Sequence, residues 1–130
     1  MYSQKVLDHF QNPHNQGRLD NPDTVGQVGN PVCGDIMKLY IKFADGEDEL
    51  EKKLVEDIKF ETLGCGAAIA STSMLTDLIK GKTVGESLKI TKQDVVDSLE
   101  GLPKPKIHCS VLAVDAFREA IENYKKTINK

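Results

Sequence analysis

Cys33, Cys65 and Cys109 carry the most distinctive chemistry in the sequence, and each stands in a run suited to a reactive or metal-binding thiol. In Gly29-Asn30-Pro31-Val32-Cys33-Gly34-Asp35, glycines on either side of the cysteine let the backbone turn and a bulky ligand approach. Asp35 adds a carboxylate two residues on. Gly64-Cys65-Gly66-Ala67-Ala68 reads as a strand-to-helix junction. The free N–H groups and dipole of a helix N-terminus favour a thiolate there. Lys106-Ile107-His108-Cys109-Ser110 sets an imidazole beside a thiol at the start of a helix. Each cysteine lies at the edge of a regular element, so the three loops are able to converge at one end of a small domain.

Thiolates select iron–sulfur clusters, zinc and copper(I) over magnesium or calcium. A permanent cluster site commonly uses four cysteines, and this chain has three. The fourth position falls to Asp35, to His108 or to an outside group. An oxygen ligand on a soft cluster is more easily displaced than sulfur, which points to a labile site suited to assembly and release. Neighbours on a helix are about 100° apart, so His108 and Cys109 are expected to compete rather than bind together. The separations of 32 and 44 residues match no zinc-finger or ferredoxin spacing. On spacing alone, a shared metal site and three unrelated structural thiols both stay open. A cysteine nucleophile served by His108 is a third reading. Adjacent residues rarely hold that geometry, and no third orienting group is evident.

Several elements must position these residues. Ser3 is expected to cap a helix with Val6, Leu7 and Phe10 on one face, and Tyr2 and Leu7 stand at the spacing of a hydrophobic staple. Asn12-Pro13 ends it. A long loop follows to residue 31, with a short strand near Val25 to Val28. Met37, Leu39, Ile41 and Phe43 alternate with Lys38, Tyr40 and Lys42, the period of a half-buried strand. Val55 to Thr62 forms a second, antiparallel strand after the acidic loop Glu47 to Glu51. Ala68, Ser71, Thr72, Leu75, Leu78 and Ile79 then follow a helical period ending at Gly81. Thr83 to Glu86 and Thr91 to Asp94 fit capping boxes of two short helices, the second ending near Gly101. Leu102-Pro103-Lys104-Pro105-Lys106 is expected to be a stiff extended connector. A last helix buries Leu112, Ala113, Ala116, Phe117, Ala120, Ile121 and Tyr124. The order predicts an α+β fold, an antiparallel sheet of about three strands packed on one face by helices, with the metal site at one end.

The 130 residues fit one domain, residues 1–130. At 39% hydrophobic and 28% charged, the composition is that of an ordinary folded protein. A net charge of −3 gives no basic surplus for nucleic acid or an anionic membrane, and no apolar run is long enough to span a bilayer. The N-terminus lacks a basic-then-apolar signal, and three thiols do not suit an even-numbered disulfide framework, so the cytoplasm is the expected compartment.

Tyr2-Ser3-Gln4-Lys5-Val6-Leu7-Asp8-His9, Gly29 to Leu39, Leu63-Gly64-Cys65-Gly66-Ala67-Ala68-Ile69-Ala70-Ser71 and Lys106 to Ala113 together closely resemble the IscU/NifU-type iron–sulfur cluster scaffold family. The resemblance covers almost the whole chain. It implies a scaffold rather than an enzyme. Such a protein takes persulfide sulfur from an IscS/NifS-like cysteine desulfurase and electrons from a donor such as ferredoxin. It holds iron in a labile [2Fe-2S] cluster and passes that cluster to apo-proteins. By motif, Cys33, Asp35, Cys65, His108 and Cys109 are the implied metal and cluster ligands. Cys109 is the implied persulfide acceptor, Asp35 keeps the cluster exchangeable, and Gly34, Gly64, Gly66 and Lys106 support them. Lys106 reads either as a solvated charge or as a partner of Asp35 or the cluster. Zn2+ in the same pocket is a further implied occupant, and a zinc-binding sulfur acceptor that carries no cluster is the alternative function. A homodimer is left open. Members served by a dedicated Hsp70-type chaperone carry Leu-Pro-Pro-Val-Lys where this chain has Leu102 to Lys106, so chaperone recognition is doubtful.

Overall fold

The computed structural model describes residues 2–30 and 35–128, and of residues 30 and 35 the backbone alone. It is an α+β fold built on one antiparallel sheet in the order β1-β2-β3, formed by Thr24–Asn30, Asp35–Phe43 and Val55–Leu63. The helices are α1 (Gln4–Gln11), α2 (Gly66–Ile79), α3 (Val84–Ser87), α4 (Lys92–Ser98) and α5 (Ile107–Ile128). The alternating residues Met37, Leu39, Ile41 and Phe43 of β2 are buried with Ile58 and Phe60 of β3. The core they form with α2 and α5 includes Leu75, Ile79, Phe117 and Ile121.

Register places the site. Ile36 pairs with Leu63, and Asn30 pairs with Asp35, so the start of β2 and the end of β3 share one end of the sheet. The chain leaves β3 there and enters α2 through Gly64 and Cys65. The N-terminus of α5 also reaches this end, since Cys109 in its first turn approaches Cys65. The other edge of β3 is covered in part by the loop after α1: Gly17 N–H donates to the Phe60 carbonyl and Phe60 N–H to the Asn15 carbonyl.

Local signals account for most boundaries. Ser3 caps α1 by accepting from Val6 N–H, and its hydroxyl also donates to the Leu99 carbonyl beyond α4. Ser3→Ala removes both bonds and is expected to destabilise the protein by about 1–2 kcal/mol, measured by urea unfolding. Both capping boxes are present, Thr83 with Glu86 and Thr91 with Asp94. Gly81, at φ +86°, turns the chain after α2.

Four expectations are corrected. The stretch after Pro103 is not extended: Lys104–Lys106 is a 3-10 turn leading straight into α5. The inward face of α1 is Val6 and His9, whereas Phe10 is 45% exposed. Burial, and after it the neighbouring His14, push the His9 imidazole below its ordinary pKa. Tyr40 alternates with the apolar residues of β2 as Lys38 and Lys42 do, yet it is 6% exposed, its hydroxyl donating to Glu61 and its ring lying under the Lys38 ammonium. Helix α2 is no amphipathic stripe. Nearly every position from Ala67 to Thr76 is buried, because its small residues let β3, α1 and α5 close around it.

Candidate metal centre

Cys65 is the N-cap residue of α2, and its side chain makes no capping hydrogen bond. Its carbonyl accepts from Ala68 and Ile69 N–H, which begins the helix and leaves the thiol at the positive end of a 14-residue dipole. Cys109 lies in the first turn of the 22-residue α5. Two helix N-termini, each equivalent to roughly half a positive charge, thus meet at one place. That arrangement suits an anionic ligand.

The two sulfurs, 44 residues apart in sequence, are 3.9 Å apart in space. This is too long for a disulfide. It matches the roughly 3.8 Å edge between two sulfurs on one tetrahedral ion with metal–sulfur bonds of about 2.3 Å. His108 Nε2 lies 3.7 Å from Cys109 Sγ. The two side chains approach each other although their Cα positions are about 100° apart around the helix. The donor set fits a soft or borderline metal.

Burial divides the set. Cys109 has 0% exposure and belongs to the core, Cys65 is half-buried and His108 is exposed. Anything that reaches the Cys109 sulfur must first displace neighbouring chain. Alkylation of the metal-free protein is accordingly expected to modify Cys65 at least about tenfold faster than Cys109, the factor imposed by an opening cost near 1.4 kcal/mol. Peptide mass mapping over a time course reads the order.

Asp35 is the first residue of β2, at the same end of the sheet. Cys33 and Gly34 lie outside the described residues. Gly64 is exposed in the turn before Cys65. Gly66 opens α2, and the Phe10 ring rests where a side chain at that position would begin, 3.2 Å from an added Cβ. Lys106 closes the 3-10 turn beneath α5 and lines a shallow surface hollow with Tyr2, Pro103 and Pro105. The sequence did not single out the apolar rim of this end. Leu63 is 68% exposed and Ile36, its pairing partner, is also exposed, with Phe10 over Gly66 nearby. The one sequence signal for Leu63 was its place at the end of the strand, directly before Gly64-Cys65.

Among the described residues no helix is long and apolar enough to cross a membrane. Two curated relatives are similar over most of their length. The chain is 57% identical over 124 residues to the iron–sulfur cluster assembly scaffold protein IscU 1 of Archaeoglobus fulgidus, covering 95% of this chain and 76% of that one. It is 49% identical over 127 residues to the iron–sulfur cluster assembly scaffold protein IscU of Escherichia coli K12, covering 95% of this chain and 94% of that one. A solved chain from Fervidobacterium islandicum AW-1 shares the fold at TM-score 0.72 and 24% identity, over 92% of this chain and 96% of that one. The family model for the NifU-like N-terminal domain matches residues 1–130, and the chain belongs to that family.

Proposed function

We propose that this protein is a scaffold for iron–sulfur cluster assembly, working as one domain in the cytoplasm and holding its cargo between Cys33, Asp35, Cys65, His108 and Cys109. The observation that carries the reading is the approach of the Cys65 and Cys109 sulfurs to 3.9 Å at the joined N-termini of α2 and α5. The similarity to proteins named as IscU scaffolds supports it. Cys65 and Cys109 are close enough to share one metal. Cys33 stands two residues before the first residue of β2, and in this reading it supplies the third thiolate.

Sulfur delivery follows from thiol chemistry. A Cys109 thiolate attacks the outer sulfur of a persulfide carried by a cysteine desulfurase. A new S–S bond forms on Cys109, the donor's S–S bond breaks, and the donor leaves as a thiolate. Two electrons from a donor such as ferredoxin then release the sulfur as sulfide for iron. The burial of Cys109 makes this step depend on opening of the pocket, and the exposed rim of Leu63, Ile36 and Phe10 offers a partner an apolar surface on which to drive it. Lys106 and the glycines Gly34, Gly64 and Gly66 support the pocket. The finished [2Fe-2S] cluster, with Asp35 as its weakest ligand, passes to apo-proteins.

The assay is anaerobic assembly of the cluster on wild type and Asp35→Ala, followed by its loss to an apo-ferredoxin or to a chelator. Removing the oxygen ligand is expected to slow cluster loss at least about tenfold, a difference of roughly 1.4 kcal/mol in release. Equal or faster loss from Asp35→Ala contradicts the role given to Asp35. A zinc-binding sulfur acceptor is the second reading, favoured by the tetrahedral-edge spacing of the Cys65 and Cys109 sulfurs. It predicts desulfurase stimulation that requires Zn2+ and no coloured cluster.

A further inference from the structure

His9, His14 and Asp77 present three metal-ligating atoms within 4.8 Å of one another. They lie far from the thiols. Asp77 is 12 residues beyond Cys65 along α2, about 18 Å at the rise of an α-helix. We propose that these three side chains form a second site for a divalent first-row transition metal, separate from the thiol pocket.

The group is held from several sides. His9, in the last turn of α1, is buried, and its Nδ1 lies 2.7 Å from the hydroxyl of Ser73 on α2. The same hydroxyl accepts the His14 backbone N–H at 2.8 Å. One buried serine therefore fixes both the first histidine ring and the backbone of the second. The rings lie 4.4 Å apart at a 45° tilt. Asn15, in the left-handed region at φ +62°, turns the chain so that its amide donates to Asp77 Oδ1 and to Thr76 Oγ1, both at 3.0 Å. His14 Nδ1 then meets Asp77 Oδ2 at 2.6 Å.

Two imidazoles and one carboxylate suit zinc, iron(II), cobalt or nickel better than calcium or magnesium. Three protein ligands leave a position for water, and His14 is 53% exposed, so that position opens to solvent. With Ser73 on its Nδ1, His9 offers Nε2 to the metal. The metal takes the place of the hydrogen bond between His14 Nδ1 and Asp77 Oδ2, and the neutral His14 ring then carries its proton on Nε2. Ligand atoms on a tetrahedral ion with bonds near 2.05 Å are about 3.3 Å apart. The exposed His14 side chain closes the remaining gap by rotating, while His9 stays fixed. A bound ion would tie the loop after α1 to the end of α2.

The test compares the whole protein with His14→Ala and Asp77→Asn, both exposed positions whose folding is checked by thermal melting. Metal-free samples are titrated with ZnCl2, and zinc retained after gel filtration is counted. Wild type is expected to retain one more zinc per chain than either variant, whatever the thiols hold. With Co2+, this extra equivalent is expected to add no sulfur-to-metal charge-transfer band. Equal zinc in wild type and both variants, or a thiolate band growing with the extra equivalent, overturns the proposal.

Discussion

Cys109→Ala is expected to abolish cluster assembly while leaving the fold intact. Binding free energies of structural thiolate sites run to about 10–16 kcal/mol over four ligands, so one ligand carries roughly 3 kcal/mol, on the order of 100-fold in affinity. Cys109 also brings its sulfur to 3.9 Å from Cys65, and in the proposed sequence it is the atom that receives sulfur. Its loss therefore removes a ligand and the entry point together. The structural cost is smaller. Deleting one sulfur from the core leaves a void near the size of a methyl group, worth about 1 kcal/mol. Alanine is a better probe than serine, which would place a hydroxyl at a fully buried position. Absorption after anaerobic reconstitution reads the cluster, and thermal unfolding of the same samples reads the fold. His108→Ala, at an exposed position, is expected to weaken the cluster less than Cys109→Ala. A Cys109→Ala protein that assembles a cluster as wild type does would remove Cys109 from the ligand set.

Gly26→Ala is expected to destabilise the fold more than a methyl group added at the other glycines whose surroundings are described. Strand β1 crosses α5 so closely that a Cβ at residue 26 would lie 2.3 Å from the Ala116 carbonyl oxygen and 2.4 Å from the Ala120 backbone nitrogen. Both are backbone atoms of a long helix, so no side-chain rotation relieves the clash. The contact is pinned by two further bonds, from Thr24 Oγ1 to the Ala120 carbonyl and from the Asn123 amide to the Val25 carbonyl. The helix must withdraw from the sheet and break them. Overpacking of a core commonly costs 1–3 kcal/mol, and a clash with rigid backbone is expected to exceed about 3 kcal/mol. Because α5 carries Cys109, the shift also separates the two sulfurs, so the variant is expected to lose cluster binding along with stability. Urea unfolding and reconstitution measure the two effects. A Gly26→Ala protein within 1 kcal/mol of wild type would contradict the close approach.

The strands, caps and turns were legible because each rests on a local rule. Met37 to Phe43 alternates with the period of a strand, Ser3 and the two capping boxes serve donors a few residues away, and Gly81 sits where the chain turns back. Features that depend on distant neighbours were not. Gly26 resembles any strand glycine until α5 is seen against it. Tyr40 alternates as a polar residue does, but Glu61 and Lys38 on the outer face bury it. On α2 the helical period marked part of the buried surface, and the small residues between those positions are covered as well. His9 gave no sign of pairing with a serine 64 residues away. For the metal centre, residue types and flanking glycines marked the candidates, whereas a spacing of 44 residues carried no distance. The approach of Cys65 and Cys109 is a product of α2 packing on α5.

The most direct test is Mössbauer spectroscopy of the purified protein reconstituted anaerobically with iron-57 and sulfide, with iron, sulfide and zinc counted in the same sample. The scaffold account predicts a brown protein holding iron and sulfide in equal amounts and showing the signature of a [2Fe-2S] centre. A colourless protein that keeps only zinc and takes up no sulfide would contradict it.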